Sequence, residues 1–315
     1  MISWHPNTNN DKDSKFSIIV PTWNNLSYLK ILINSIEKNS TLKHQIIIHV
    51  NDGTDGTLEW VRTRGFDYTH SLENIGVCWP LNACRALVRT DYIVFLNDDM
   101  YMLPEWDMAL WDEIKWLNHN FFFLSSTTIE PRVSPHPGIL ASFDYGSTPE
   151  TFREDDLLKN FKSIKGKDWS GATWPPNIVH KDIWDLVGGY STEYYPGLYS
   201  DPDFSMKLYE AGVRYFKGID TSRTYHFGSK SVLRIKLNNG RKQFLNKWGI
   251  TSASFSRYFL NRGQHFEGEI DVDAHKKGLR MALIIGNLKR IFSLLSGTGR
   301  AIGRYSYNNI QSRRK

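Results

Sequence analysis

Two adjacent carboxylates follow an apolar run in the first third of the chain. Residues 92–96 are mostly apolar, and Asp98 and Asp99 come almost directly after them. Carboxylates are hard oxygen ligands, and Mg²⁺ in proteins is commonly held by one or two of them together with phosphate oxygens of a substrate. The pair is therefore a candidate site for a divalent metal, Mn²⁺ or Mg²⁺, that neutralises a diphosphate leaving group. A turn or a helix cap is the alternative, since Asp is common in both.

A third carboxylate, Asp52, lies in the glycine-containing loop 51–56. Its oxygens can accept hydrogen bonds from a ribose or a base, and the glycines let the backbone approach a ligand closely. Asn-Asp and Asp-Gly pairs are also ordinary turn sequences. Nucleoside binding and a plain turn are both open for this loop.

The elements around these residues alternate between short apolar strands and helices. Strands are predicted at 16–20, 45–50, 67–70, 92–96, 121–128 and 213–217, and helices at 26–38, 57–64, 80–88, 181–187 and 203–211. This alternation predicts an α/β fold with a mainly parallel sheet flanked by helices. Ligands in such sheets bind beyond the carboxyl ends of the strands, so segments 21–24, 51–56 and 97–99 are expected at one edge. The proline-rich stretch 131–149 is interpreted as an excursion over that edge.

The order of the motifs resembles family 2 glycosyltransferases with the GT-A fold, a Rossmann-like nucleotide-binding fold. The resemblance is carried by segments 17–24, 50–57, 74–76, 95–99, 187–190, 200–204, 207–212, 225–231 and 244–249, which together cover about residues 16–250. It implies three regions: a polar N-terminal tail at 1–15, a GT-A-like domain at 16–250, and a basic, helical C-terminal extension at 251–315.

The resemblance also implies roles for individual residues. Asp99 matches the metal-binding acid of the DXD-type motif, and His226 matches a histidine that completes the metal or diphosphate site in some members. The implied nucleotide-binding positions are Pro21, Thr22, Asn24, Asp52, Asn74 and Asp98. The chain departs from the family pattern at two positions, because Asn51 stands where an aspartate is usual and Ser200 replaces the usual glutamate.

A base is needed because an acceptor hydroxyl is a weak nucleophile and must lose its proton as it attacks the anomeric carbon. Asp201 matches the acid of the family's Glu-Asp motif and is the predicted base. Asp203 is the alternative, although a carboxylate at a helix start also favours the helix dipole. Direct displacement by the acceptor predicts inversion at the anomeric carbon.

Three residues of the loop 169–176, Trp169, Ser170 and Trp174, are predicted to contact the acceptor or the sugar, with lid packing as the alternative. Lys247 is predicted to contact the sugar or the diphosphate.

Composition and charge add expectations about location. The two cysteines cannot form a disulfide framework, and no signal peptide pattern is found, so a cytoplasmic protein is expected. The net charge is +6, with basic residues concentrated after Arg257. Apolar residues at helical spacing within 281–295 predict an amphipathic helix that docks on the core, on a partner chain or on the inner face of a membrane. No zinc-finger or RNP motif is found, so nucleic acid is not an expected partner.

The predicted function is therefore inverting, metal-dependent transfer of a sugar from a nucleoside-diphosphate donor, with UDP expected, to a saccharide or lipid-linked glycan. A catalytically inactive sugar-nucleotide-binding protein and a nucleotidyltransferase are the alternatives. The nucleotidyltransferase is disfavoured because no glycine-rich phosphate loop with a following lysine lies near the first strand.

Overall fold

The computed structural model describes residues 1–7, 13–134, 136, 138–228, 234, 237–271, 273 and 276–295. Ser229 and Ser231 of the quoted motif, and the basic residues from Arg300 onward, lie outside the described residues.

Eleven strands form within this part of the chain. They are β1 (Ile2–His5), β2 (Phe16–Trp23), β3 (His44–Asn51), β4 (Asp67–Ser71), β5 (Tyr92–Phe95), β6 (Met100–Met102), β7 (Phe122–Glu130), β8 (Ile139–Ala141), β9 (Trp169–Ser170), β10 (Asn177–His180) and β11 (Tyr215–His226).

Ten α-helices accompany these strands in the described residues. They are α1 (Leu26–Asn39), α2 (Thr57–Arg64), α3 (Cys78–Arg85), α4 (Trp106–Leu117), α5 (Glu154–Asn160), α6 (Lys181–Leu186), α7 (Ser200–Glu210), α8 (Gly240–Trp248), α9 (Ser252–Tyr258) and α10 (Lys276–Leu295).

The strands form one mixed sheet in the order β1-β4-β3-β2-β5-β10-β7-β11-β6, with β8 beside β7 and β9 beside β11. Strands β4, β3, β2 and β5 are mutually parallel, as are β7 and β11, whereas β10 runs antiparallel between the two groups. The carboxyl ends of β2, β3 and β5 therefore lie at one edge. The predicted mainly parallel α/β sheet is confirmed.

Helices cover both faces of the sheet because each strand buries apolar side chains on both sides. On one face α1 and α4 pack through residues such as Leu32 and Trp106, and on the other α3, α6 and α7 pack through Leu81, Trp184 and Phe204. Each of these side chains is buried.

The largest departure from the sequence-based elements concerns β11. A strand was predicted only at 213–217, but β11 continues to His226. Its second half is polar, and buried hydroxyl groups stabilise it there: the Oγ atoms of Ser126 and Ser222 are 2.7 Å apart, and Thr127 Oγ1 donates to the carbonyl of Ile219. His226 is thus the last residue of a paired strand.

Helix α10 docks through one side and exposes the other. It packs on α8 and α9, with Leu279 and Leu283 against the apolar core. Gly286 approaches the Gly249 carbonyl so closely that an added Cβ would lie 2.3 Å from it. The outward side is apolar, with Leu288 63% and Phe292 76% exposed. None of the helices in the described ranges combines the length and apolar character needed to cross a bilayer.

Candidate active site

The loops after β2 and β3 are joined by the side chain of Asn24. Its Nδ2 donates to Asp52 Oδ2 at 2.9 Å, and its Oδ1 accepts from the Gly53 amide at 2.9 Å. Asn24 and Asp52 both have positive φ, 45° and 64°, a conformation that Asn and Asp adopt more readily than other non-glycine residues. One carboxylate is thereby oriented at the edge of the sheet.

The loops after β2 and β5 are joined by Thr22, which is buried. Its Oγ1 donates to Asp98 Oδ2 at 2.6 Å. Burial raises the pKa of Asp98 to about 7, and the neighbouring Asp99 carboxylate adds to the rise. Thr22 therefore acts on any ligand through Asp98, whereas Pro21 lies beside it within β2 with part of its surface exposed.

Asp99 and His226 are held together by backbone pairing. Met100 of β6 pairs with His226 of β11, and the Phe227 amide donates to the Asp99 carbonyl at 3.1 Å. His226 Nε2 lies 3.4 Å from Asp99 Oδ1, and the opposite ring nitrogen, Nδ1, lies 2.9 Å from Glu130 Oε1. Burial lowers the pKa of His226, but the carboxylates of Asp99 and Glu130 outweigh it and raise that pKa to about 10. Without a metal the two carboxylates therefore favour the protonated ring, and a metal that bound Nε2 would displace the proton there.

Asp99 and His226 fit a divalent metal whose coordination shell is shared with a substrate. Among the described residues, no cluster of three or more His, Cys, Asp or Glu side chains is arranged to hold a metal by protein ligands alone. One carboxylate and one imidazole leave room for diphosphate oxygens, as in sites where Mg²⁺ binds mainly through its substrate. A carboxylate on the far nitrogen of a ligand histidine, as Glu130 provides here, is the usual orienting partner.

Asp201 lies in the first turn of α7, partly accessible to solvent. Tyr190 Oη is 3.5 Å from Asp201 Oδ1, and the Tyr190 ring packs edge-on against Phe95 at the end of β5, with centroids 5.8 Å apart. Burial raises the pKa of Asp201 from its ordinary 3.8 to about 7. A carboxylate with that pKa can accept a proton near neutral pH.

Asp203 lies in a different environment, fully buried on the same helix. Its carboxylate accepts hydrogen bonds from Ser191 Oγ at 2.5 Å and Trp248 Nε1 at 2.8 Å, and Lys247 Nζ lies 2.9 Å away. Lys247 also binds Glu193. The Lys247 ammonium is thus held by two carboxylates while part of its side chain stays exposed, and its contact with a sugar or diphosphate stays a prediction.

The departure from the family pattern at Asn51 has a local explanation. The buried Asn51 amide accepts from the Ile75 amide at 2.9 Å and donates to the Gly76 carbonyl at 3.2 Å, which fixes loop 74–76 against β3. In the same loop Asn74 Oδ1 accepts from the Gly76 amide at 2.8 Å. The Asn74 side chain therefore shapes the loop by binding its own backbone.

Of the three residues predicted to contact the acceptor or the sugar, Trp169 and Ser170 are buried and Trp174 is partly exposed. Trp169 is 1% exposed, and its Nε1 donates to Thr127 Oγ1 at 3.0 Å, so this residue packs within the protein. Ser170 is also buried, and its Oγ lies 3.4 Å from the His265 carbonyl. Trp174 stacks on Trp169 with ring centroids 5.1 Å apart and keeps part of its surface accessible.

Three neighbours of the site were not predicted from the sequence. Glu130 orients His226, Tyr190 contacts Asp201, and Arg234 donates to the Trp23 carbonyl at 2.8 Å beside Asp98. Glu130 is the last residue of β7, and an acid at a strand end was the signal used for Asp98. Tyr190 belongs to a quoted motif, but nothing in its spacing indicated a carboxylate partner.

Residues 17–162 match the family model described as glycosyl transferase family 2. The sequence matched no curated protein.

Several solved structures share the fold. The crystal structure of S. aureus TarS 1-349 has a TM-score of 0.51 at 15% identity, over 92% of this chain and 75% of that one. TarS 1-349 in complex with UDP-GlcNAc gives 0.52 at 14% identity, over 89% and 73% of the two chains. GalNAc-T7 with UDP, GalNAc and Mn²⁺ gives 0.54 at 11% identity, over 78% of this chain and 50% of that one. At these identities the likeness concerns the fold, which is of the GT-A type.

Proposed function

We propose that this chain, whose residues 17–162 belong to glycosyl transferase family 2, transfers a sugar from a nucleoside-diphosphate donor to an acceptor hydroxyl. The observation that carries the proposal is the convergence of four strand ends, those of β2, β3, β5 and β11. Three contacts of 3.4 Å or less join them in pairs: Thr22 to Asp98, Asn24 to Asp52, and His226 to Asp99. TarS and GalNAc-T7 were solved with UDP-GlcNAc and with UDP, which makes UDP the first donor nucleotide to test.

In this proposal the donor's nucleoside lies against Asn24 and Asp52, and Asp99 and His226 would hold a divalent metal. GalNAc-T7 was solved with Mn²⁺, which makes Mn²⁺ the first ion to test. When bound, the metal would neutralise charge on the departing diphosphate. Glu130 keeps the His226 ring oriented, and Thr22 keeps Asp98 oriented, so neither group has to be ordered when the donor binds.

Asp201 is the proposed base. The acceptor oxygen attacks the anomeric carbon while Asp201 takes its proton, and the bond from that carbon to the diphosphate oxygen breaks. A pKa near 7 supports this role, since a base works best when its pKa is close to the working pH. Asp203 is not available for it, because Lys247, Ser191 and Trp248 occupy its oxygens. A single displacement gives a product with inverted anomeric configuration.

The test separates donor binding from transfer. Thermal stabilisation by a panel of nucleoside diphosphates with Mn²⁺ identifies the donor nucleotide, and transfer to saccharide acceptors follows with the matching nucleotide sugars. We expect Asp201→Asn to lose transfer by at least 100-fold while donor affinity changes less than threefold. Asp185→Asn, an acid in an exposed ion pair with Arg85, is the matched control. Full transfer by Asp201→Asn would rule out the proposed base, and donor binding that ignores a chelator would rule out the metal role of Asp99.

We further propose that α10 places the enzyme on an anionic membrane surface, where lipid-linked acceptors would be met. The exposed apolar residues of α10 are Met281, Ile284, Ile285, Leu288, Ile291, Phe292, Leu294 and Leu295. The helix contains Lys277, Arg280, Lys289 and Arg290 and no acidic residue. An apolar face combined with basic residues is the pattern of helices that lie in a lipid interface.

Liposome flotation tests this surface. We expect the protein to float with vesicles of phosphatidylglycerol and phosphatidylcholine, and much less with phosphatidylcholine alone. Leu288→Ser with Phe292→Ser should abolish flotation, whereas Val133→Ser, at a residue 85% exposed elsewhere on the surface, should leave it unchanged. Concentration-dependent dimerisation without flotation would instead identify a second copy as the occupant.

A further inference from the structure

Arg262 is a partly buried cation that has no carboxylate partner among the described residues. Its guanidinium carbon lies 5.3 Å from the centroid of the Trp174 ring, and none of the ion pairs within the described residues includes it. Burial lowers its pKa, and the Tyr199 hydroxyl, a group in the described part of the chain, acts in the opposite direction. Charged side chains that leave water are normally paired, so an unpaired arginine in such a position is a candidate for binding an anion from outside.

The backbone holds Arg262 in place. Its amide donates to the Ser256 carbonyl at 2.9 Å, and the amide of the next residue, Gly263, donates to the Ser170 carbonyl at 2.8 Å. At Gly171, an added Cβ would lie 2.7 Å from the Arg262 Cα, so the two segments approach more closely than any side chain there would allow. The backbone from which the Arg262 side chain extends is therefore held in place.

The neighbours of Arg262 connect it to both parts of the candidate active site. Tyr199 precedes the proposed base, Asp201, by two residues. On the other side the His136 ring lies 5.8 Å from the Trp174 ring. The charge on Glu130, which binds His226, raises the pKa of His136, whereas burial and Arg262 lower it. Arg262 and Trp174 therefore lie close to His136 and within electrostatic range of Tyr199, two residues from the proposed base.

We propose that Arg262, supported by Trp174, binds an anionic group on the acceptor, a phosphate or a carboxylate. A guanidinium offers a planar fork of N–H donors that matches either group, and an aromatic ring beneath it limits its rotation. The partly accessible indole of Trp174 also offers a flat apolar surface to a sugar ring. This inference rests on the proposed function for the identity of the ligand as an acceptor, and it makes the acceptor an acidic glycan.

Binding of simple sugars to the full chain, in the absence of any donor, tests the inference separately from transfer. The probes are glucose, glucose 6-phosphate and glucuronate, measured by isothermal titration calorimetry. We expect both acidic sugars to bind at least about tenfold more tightly than glucose, because a charge-assisted hydrogen bond is worth that ratio or more. Comparison of the two acidic probes identifies which anion the site prefers.

Variants assign the effect to the residue. Arg262→Gln should remove the tenfold preference, Arg262→Lys should retain part of it, and Arg257→Gln, at an exposed arginine five residues earlier, should leave it intact. If Arg262→Gln does not fold, the unmodified protein is titrated with glucose 6-phosphate in the presence of inorganic phosphate. Competition between the two supports an anion site, and its absence overturns the inference. The inference is overturned if the unmodified protein binds glucose as tightly as its acidic analogues, binds none of the three, or keeps its preference in folded Arg262→Gln. Loss of transfer with the binding preference intact would contradict only the proposed function.

Discussion

Asp201 and Asp203 lie two residues apart on α7, and we expect their asparagine variants to change stability in opposite directions. Asp203 is fully buried and contacts Ser191, Lys247 and Trp248. Removing one partner of a buried ion pair costs about 3–5 kcal/mol, because the other charge stays buried without compensation. Asparagine keeps one acceptor oxygen, so we expect Asp203→Asn to lower the free energy of unfolding by about 3 kcal/mol.

Asp201 opposes folding when it is charged. Burial raises its pKa from 3.8 to about 7, so between these values the folded state binds the proton more tightly than the unfolded state does. Its contribution therefore destabilises the fold increasingly as the pH rises from about 4 to about 7, and is constant above that range. The rise in pKa corresponds to at most about 4 kcal/mol, and partial exposure of the carboxylate reduces this to about 1–2 kcal/mol. Asp201→Asn should regain that amount at pH 8 and less at pH 5.5.

Urea unfolding followed by tryptophan fluorescence at pH 5.5 and pH 8 measures both effects. Transfer assays on the same preparations should show that Asp201→Asn is stable and inactive. An Asp203→Asn variant as stable as the unmodified protein would show that the Lys247 pair is not a structural element. An Asp201→Asn variant that loses stability at pH 8 would refute the assignment of a destabilising, proton-accepting carboxylate.

Three further predictions follow from contacts described above. Glu130→Ala removes the carboxylate that orients His226. We expect the affinity for Mn²⁺, measured from the metal dependence of donor binding, to fall about 10- to 100-fold. An unchanged metal dependence would contradict that role. Asn51→Asp places a carboxylate beside the Gly76 carbonyl that now accepts a hydrogen bond, and should lower the free energy of unfolding by about 1–3 kcal/mol in urea titrations; no loss would mean that loop 74–76 is held otherwise. Burial raises the pKa of both Cys78 and Cys84 to about 12. Neither thiol should therefore react with Ellman's reagent in the folded protein at pH 8, while both should react in urea. Rapid reaction of the folded protein would contradict their burial.

The sheet and its edge could be predicted because they depend on local patterns. The runs of Ile and Val at 18–20 and 46–48 alternate with amphipathic helices, and polar residues follow each strand, so topology alone brings Asp52 and Asp98 to one edge. Helices α4 and α8 were not predicted, although α4 buries Trp106 and Leu110 and α8 buries Phe244. Their charged residues lie between the apolar ones and obscure the helical period.

The environments of individual side chains depend on contacts between distant parts of the chain. Asp201 and Asp203 are equivalent by spacing, and contacts from distant residues distinguish them, above all those of Lys247 and Trp248 of α8 with Asp203. Arg262 has no sequence signal at all, since its importance lies in the absence of a described acid beside it.

The pairing of β6 with β11 has a consequence for how the proposed metal ligands, Asp99 and His226, can change. Asp99 and His226 are 127 residues apart in sequence. Asp99 comes directly before β6, and His226 is the last residue of β11. The two strands are paired so that Met100 is opposite His226. A shift of this pairing by one residue would turn the imidazole to the other side of the sheet. Insertions and deletions near residues 99–102 or 224–226 should therefore be tolerated only in compensating pairs. Loops elsewhere along the edge can vary in length without disturbing these two residues, so under the proposed function the donor preference could change while the proposed metal site stays the same.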